Sequence, residues 1–590
     1  MKVPETLAVI GSGPSAIYLL KHILDHVEVL KRQFREILVF EKCEFTGMGM
    51  PYSPNTTDRF NLSNISSDEL PELPRTLAAW LRAQSPTVLE SLGISSTEIS
   101  EEGIYSRLAL GEYFKAQYQL LTAWLEEAGI RITDHAQCEI TDITDEEGFV
   151  RLFSAEGEIY EAGRVVIATG HHWPNQDSPK AGYFASPWPI SKLLPEDGGH
   201  YPFTIGTLGA SLSAFDVISS LAHRHGSFVK EGNRLVYHAD EGAGEFKMAM
   251  HSAQGLLPHL QFDQRKPRRE VYRHVSREEL LSLRDEAGFL RLATYFDQVC
   301  RPALIQALEK NALNDVARRL GDPAFGVVDF AEAMTEKHDY ANAFEGMRKE
   351  MTEAVASVKR HRPIHWKEIL DDLMYMLNYH AGLMPAEDHL LLRAKVMPFV
   401  MNVAAAMPLQ SGDKILALYD AGRLELVTGA VADVHPKDGQ GVTVKVEDEG
   451  GKKSTLHYPM FIDCKGQSPV GVEEYPFPSL AKSGKIRPAR VPYAGSGETP
   501  EDSANQKSDC ADAQGRQLHE IGGIDIDETY HVIGEDGQPN PRVFDMASPH
   551  IAGLRPYSYG LQACSHTAAI VVEGWLGLEP GSRETAEETG

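Results

Sequence analysis

Apolar residues follow two rhythms along this chain. Thr6 to Ile10 form a short run of buried-strand character, and from Ser15 to about Phe34 the positions Ile17, Leu20, Ile23, Leu24, Val27 and Leu30 recur at helical spacing. Between the runs stands Gly11-Ser-Gly13-Pro-Ser-Ala16. A second strand, Glu36 to Phe40, ends on Glu41. The order predicted is strand, glycine turn, helix, strand. The next stretch, Phe45 to Ser66, has no period, and its glycines, prolines and asparagines predict a long loop of special backbone geometry.

The same plan returns downstream. Pro202 to Leu208 read as a strand, Gly209 as a turn, about Leu212 to Arg224 as a helix, and Glu245 to Met250 as a further strand. Each copy also has a candidate meander of short strands. The first has turns at Glu146-Glu-Gly148 and Glu156-Gly157 and closes on Val165-Val-Ile167 followed by Ala168-Thr169-Gly170. The second has turns at Asp438-Gly-Gln-Gly441 and Gly450-Gly451 and closes on Asp463-Cys-Lys-Gly466. The fold class predicted is α/β, with two Rossmann-like dinucleotide-binding domains, β-meander crossovers and a helical insertion.

The insertion shows in residues 265 to about 425, where the runs beginning at Arg301, Asp339 and Trp366 carry apolar residues three and four apart. The boundaries expected are 1–190 for the first part of the first dinucleotide-binding domain, 198–262 for the first part of the second and 263–425 for the insertion. Residues 426–470 supply the second domain's meander and return, 471–577 the C-terminal part of the first domain, and 578–590 a disordered tail. A mobile loop is expected from Gly495 to Gly515. A length of 590 residues agrees with two or three domains.

Charge narrows the partners. A formal net charge of −27 argues against general nucleic-acid binding, although backbone N–H groups at one site can still hold an anionic cofactor. The six cysteines, Cys43, Cys138, Cys300, Cys464, Cys510 and Cys564, form no C-x-x-C pair, so neither a C-x-x-C redox centre nor that type of zinc site is expected, and no metal site is. No uncharged apolar run reaches membrane-spanning length and no signal peptide opens the chain, so a cytoplasmic protein is expected, with no membrane partner and a homo-oligomer allowed.

The glycines then acquire a chemical reading. Gly11 permits the tight turn, Gly13 lets a pyrophosphate approach the backbone, and Ala16 lets helix and strand pack closely. The helix N-terminus offers free N–H groups and a partial positive charge. Glu41 at the strand end accepts from ribose hydroxyls and repels a 2′-phosphate, which selects FAD or NAD over NADP. The second loop, Gly209, Ser211 and Ala214, is looser, and no acid ends its second strand. His251, Ser252 and Gln254 stand there without an arginine, so NADPH is favoured with NADH still open.

Together the two motifs and meanders resemble the two-dinucleotide-binding-domain flavoproteins. "GMGMPYSPNTTDRFNLSNIS", "VVIATGHHWP", "GASLSAFDVISSL", "HSAQGLLP" and "RPYSYGLQACSHTAAIVVEGWL" look like a bacterial FAD/NAD(P)-binding family that is similar to flavin-dependent N-monooxygenases, including an aspartate N-monooxygenase branch that forms nitrosuccinate. The resemblance spans about residues 5–265 and, less closely, 385–575. It implies FAD on Gly11, Gly13, Pro14, Ser15, Glu41 and Lys42, with Gly49, Tyr52 and Asn64 from the loop and Thr169 and Gly170 from the crossover. It also implies Asp545 toward the ribityl chain and Gly560-Leu561 at the pyrimidine edge, with the nicotinamide cofactor on Gly209, Ser211, Ala214 and Ser252. Two departures stand out: Ser252-Ala253-Gln254 where relatives often read Ser-Arg, and Lys465 where the Thr169 pattern leads one to expect threonine.

The activity implied is an NAD(P)H-using monooxygenase that works through a flavin C4a-hydroperoxide, with O2 and a small molecule as substrates, N-oxygenating an amino acid such as aspartate or another amine. Most of the chemistry then belongs to the cofactor, and no catalytic residue is singled out. Two other readings stay open: a dehydrogenase or electron-transfer flavoprotein, and a non-catalytic FAD-binding redox sensor. Within the insertion, Arg291, Arg301, Arg348, His361, Arg362 and His365 are candidates for binding an acidic substrate.

Overall fold

The computed structural model describes residues 5–171, 175–196, 198–338, 340–495, 509–512 and 515–579. The expected tail lies outside these from residue 580 on, and so does most of the loop expected from Gly495 to Gly515.

Two sheets follow one plan. In the first, Thr6–Ile10 lies between Glu36–Glu41 and Arg164–Ile167, flanked in turn by Arg131–Ala136 and Pro539–Asp545, all parallel. His531–Ile533 adds an antiparallel edge. In the second, Thr204–Leu208 lies between Lys247–Ser252 and Met460–Asp463, flanked by Leu424–Thr428 and Tyr183–Phe184, again parallel. An antiparallel three-stranded meander precedes each return strand: Ile140–Glu146, Phe149–Ser154 and Ile159–Ala162 in the first half, Ala430–Lys437, Gly441–Glu447 and Lys453–Tyr458 in the second. The α/β class with two Rossmann-like halves, meander crossovers and a helical region is the fold observed. The central strands of the first sheet are buried on both faces, which is why they read as unbroken apolar runs.

Some local structure departs from the pattern. The first helix runs only over Pro14–Asp25, breaks at His26 and resumes as the short Val27–Leu30, because His26 leaves helical geometry at φ −119°, ψ 20°. An antiparallel hairpin, Gly226–Glu231 with Arg234–Ala239, follows the second motif's helix, Leu212–His225. The run beginning at Arg301 forms two helices, Arg301–Lys310 and Asn314–Leu320, separated at Ala312 by a φ of +59°.

The helical region divides between two cores. His365–His380 buries thirteen of its sixteen residues in the core that also holds Leu7, Val9 and Ile37 of the first sheet. Ala343–Arg360 and Leu409–Asp420 instead pack Phe344, Met347, Ala354 and Ile415 with the second sheet. Asn342 caps the former, its side-chain oxygen accepting from the amides of Phe344 and Glu345 at 3.0 and 3.3 Å. Among the described residues, no helix is long and apolar enough to cross a membrane.

Candidate cofactor and substrate site

The first glycine turn is shaped by what it touches. Gly11 sits at φ +98°, and a Cβ there would lie 2.4 Å from the carbonyl oxygen of Ala168 on the crossover. Gly13 caps the helix without any side-chain hydrogen bond, so the first-turn N–H groups stay free for a ligand. A Cβ on Gly13 would be 3.2 Å from Gly49 Cα, and one on Gly49 2.9 Å from Pro14 Cδ. The long loop therefore lies directly against the turn, in a cradle that any larger residue would fill.

Glu41 is fixed in place before any ligand arrives. Its Oε2 accepts from the Ser12 amide at 3.2 Å and the Ser12 hydroxyl at 2.8 Å, and its Oε1 accepts from the Cys43 amide at 2.9 Å. The Ser12 hydroxyl in turn accepts from the Gly47 amide at 3.0 Å, tying the long loop to the same carboxylate. A carboxylate on this many donors is held in one orientation.

A cavity of about 650 Å³ opens from this corner. Gly11, Gly13, Pro14, Ser15, Glu41 and Lys42 line it, as do Gly49, Tyr52 and Asn64 of the loop, Thr169 and Gly170 of the crossover, and Gly560 and Leu561. The last two open a sixteen-residue helix, Leu561–Leu576, whose Gly560 cap again carries no side-chain bond. Asp545 lies elsewhere. It is 0% exposed, and its carboxylate accepts from Tyr475 Oη at 2.7 Å, His550 Nδ1 at 2.8 Å and the Ala547 amide at 2.9 Å. The residues that follow it, Met546, Ala547 and Ser548, reach the cavity instead. Glycine cradle, anchored acid and two free helix N-termini on one cavity fit FAD.

The second turn repeats the first with looser contacts. Gly209 sits at φ +111°, and its Cβ would lie 3.1 Å from the carbonyl oxygen of Cys464 on the second crossover. Ser211 caps its helix without a side-chain bond, and Ala214 is buried beneath it. Neither these nor Gly209 lines the large cavity, but the neighbouring Leu212 and Ser213 do. At the strand end, the Ser252 hydroxyl donates to the Leu256 carbonyl at 3.0 Å. His251 turns inward, 2% exposed, with Nε2 3.0 Å from Tyr458 Oη, and burial pushes its pKa down to about 4. Gln254 is exposed.

None of the six basic residues proposed from the helical region lines the cavity. Arg291 pairs with Asp388 at 2.9 Å, Arg301 with Asp297 at 2.5 Å and Arg348 with Asp420 at 2.6 Å. His361 and His365 stand 3.6 and 3.8 Å from Asp263 and Glu368, and the Arg362 amide donates to Ser357 O at 2.9 Å. The cations that do line it are Lys42, Arg107, Arg269 and Lys367. Arg107 reaches across to Asp216 on the second motif's helix, Nη2 to Oδ2 2.9 Å, so an ion pair joins the halves beside the cavity. Burial still pushes the Asp216 carboxyl up to about 6 against the pull of Arg107. Arg269 forks onto Asp371, with Nε 2.6 Å from Oδ2 and Nη2 2.9 Å from Oδ1. The sequence analysis did not single out Arg269, although it stands in a basic run, Arg265-Lys-Pro-Arg-Arg269. Arg107 and Lys367 gave no signal, since their partners lie on other elements.

Comparison with known proteins assigns the corner just described. Residues 8–172 match the FAD-NAD(P)-binding family, and residues 277–404 match the YdhS-like middle domain. The chain carries an FAD-NAD(P)-binding domain and a YdhS-like middle domain. Over 513 residues it is 27% identical to YdhS of Escherichia coli K12, covering 84% of this chain and 90% of that protein. Among solved structures it is similar to the ornithine hydroxylase PvdA of Pseudomonas aeruginosa, with 11% identity, TM-score 0.45, and 96% and 98% of the two chains covered. It is likewise similar to the L-lysine 6-monooxygenase of Pseudomonas syringae, with 12% identity, TM-score 0.44, and 97% and 99% covered. The matched family binds FAD and NAD(P), the cofactor pair that the glycine cradle and the second turn suit. No cluster of three or more side chains suited to a metal ion occurs among the described residues.

Proposed function

We propose that this chain is an FAD-dependent, NAD(P)H-using monooxygenase acting on a small amine, with an amino acid as the leading candidate. The observation that carries the reading is that the nicotinamide-side helix reaches the FAD cavity through Leu212 and Ser213 while an apolar cap forms part of its wall. Met401, Val403 and Ala404 of the helical region and Phe262, just before it in the sequence, supply that cap. The chemistry that a bound FAD supplies is hydride acceptance from NAD(P)H and delivery of one atom of O2 to a nucleophile, the other leaving as water. The chain's own residues bind and exclude. Gly11 to Ser15 hold the pyrophosphate, Glu41 the ribose, and the helix beginning at Leu561 favours negative charge on the reduced ring. The cap would keep bulk water out of the site. NADPH is the expected donor, because no acid ends the second strand.

Thiol-disulfide chemistry on the same scaffold is disfavoured by the cavity's cysteines. Burial raises the Cys43, Cys138 and Cys564 thiols, the opposite of what an attacking thiolate requires.

The test is NADPH oxidation by the FAD-loaded protein against a panel of amino acids and amines, with hydroxylamine and nitroso products assayed. At least one compound is expected to accelerate oxidation and to become oxygenated. Reduction by NADPH with electrons passing only to other acceptors would replace the monooxygenase reading with a dehydrogenase one.

A further inference from the structure

One charge on the cavity wall is accounted for neither by the nucleotide motifs nor by the apolar cap. Lys367, near the start of helix His365–His380, is 3% exposed and lines the cavity. Its Nζ donates to Glu350 Oε1 at 2.7 Å. That same oxygen accepts from His259 Nδ1 at 2.9 Å and from the Leu260 amide at 3.1 Å. Burial alone would raise the Glu350 carboxyl, but the Lys367 ammonium and His259 outweigh it and hold the group well below the ordinary carboxylate range. Glu350 is thus an ionised brace that fixes the lysine from one side.

An ammonium carries three N–H donors. Glu350 takes one of them, and the rings of Phe262 and Trp366 stand 5.4 and 5.9 Å from Nζ. A buried cation with donors left over calls for acceptor oxygens, and the open space beside Lys367 is the cavity. One turn along the same helix, on the same face, Asp371 also lines the cavity and holds Arg269. Glu350 and Asp371 already oppose the two cations. These charges cancel, so what the site offers a ligand is the remaining N–H donors of Lys367: a singly charged carboxylate can accept them, whereas a doubly charged phosphate would bring twice the charge up against the same carboxylates and Glu69.

We propose that Lys367, with Arg269 beside it, anchors a carboxylate of the substrate, so that the site takes a small carboxylic acid. The inference rests on the proposed function only in treating this cavity as the substrate site. It also carries a structural corollary. Glu350 belongs to helix Ala343–Arg360, which packs with the nicotinamide half, while Lys367 stands on a helix in the FAD-half core. The anchor is held by both halves.

The test is equilibrium binding to the FAD-loaded protein, read as a change in flavin absorbance and by calorimetry. The probes are butyrate and succinate, each against its amide, with inorganic phosphate as a third arm. A charge-assisted bond predicts that at least one acid binds about tenfold or more tightly than its amide. Lys367→Met should abolish that preference and Lys367→Arg should keep most of it. Because Lys367→Met strands a buried carboxylate and risks the fold, E350Q/K367M removes both charges together and should show the same loss. Equal binding of acid and amide by the parent protein would overturn the proposal. So would a preference that survives in Lys367→Met or the double variant, or binding of phosphate with no carboxylate bound. NADPH oxidation by O2 in the same samples reports on the monooxygenase reading alone, so either idea can fail while the other stands.

Discussion

The two nucleotide-binding halves share a strand order and differ in how firmly each finishes its site. In both, the first glycine of the turn rests on the crossover strand that returns from a meander: Gly11 over Ala168, Gly209 over Cys464. In the first half the next strand ends in Glu41, gripped by three donors and facing the cavity. In the second it ends in a histidine turned inward and a serine whose hydroxyl is bonded to its own loop. Topology thus decides where a dinucleotide lies, and a few side chains decide how tightly it is read. That difference matches a resident cofactor on one side and an exchangeable one on the other.

Three perturbations break or sharpen the contrast. The largest effect is expected from alanine at the two glycines. Gly11→Ala places a methyl 2.4 Å from a backbone oxygen at a φ of +98°, and purified protein should lack bound flavin. Gly209→Ala meets its neighbour at 3.1 Å, so FAD should stay while KM for NADPH rises about tenfold. Equal flavin loss in both variants would erase the distinction between the halves. Next come the strand ends. Glu41→Gln should weaken FAD binding to the apoprotein about ten- to hundredfold in a fluorescence titration, the scale of a hydrogen bond to a charged group. Ser252→Ala should change NADPH affinity by less than about threefold, because its hydroxyl serves the Leu256 carbonyl.

The third perturbation acts on stability rather than on cofactor binding, through pH. The His251 pKa is pushed from 6.5 down to about 4, so the folded protein binds fewer protons there than the unfolded chain. Its stabilising effect is complete above pH 6.5 and is lost as pH falls toward 4, by at most about 3 kcal/mol. Denaturant melts of His251→Phe should fall less steeply through that window than those of the parent. A parallel pair of curves would show that His251 is not what titrates.

Much of the scaffold was legible because it is local. Strand Thr6–Ile10 follows from five consecutive residues, and the helix after Gly209 from apolar spacing within one turn of the next. The turn of chain at His26 was not legible, since the apolar rhythm continues through Val27 and Leu30 while the backbone does not. Of the cations that line the cavity, Lys42 was named from the sequence, and Arg107, Arg269 and Lys367 were missed for a related reason. Composition pointed to Arg301 and His365, whose acids are only four and three residues away in the chain. Arg269 and Arg107 find their partners on distant elements, at Asp371 and Asp216, and only folding brings those together. The residues quoted for FAD converge on one cavity, apart from Asp545, which is bonded to Tyr475 and His550 inside the sheet's edge.

The return strand of the first sheet has a consequence for how the molecule is made. Arg164–Ile167 pairs on one side with Thr6–Ile10, but on the other with Pro539–Asp545, near the far end of the sequence. While a ribosome is still translating the helical region, that apolar strand is an open edge able to pair with a neighbouring chain. The helix N-terminus at Gly560 is missing as well. A nascent chain can begin the cofactor's sheet but cannot close it, so flavin colour in the finished protein doubles as a readout of complete synthesis, and truncations before Pro539 should aggregate rather than bind.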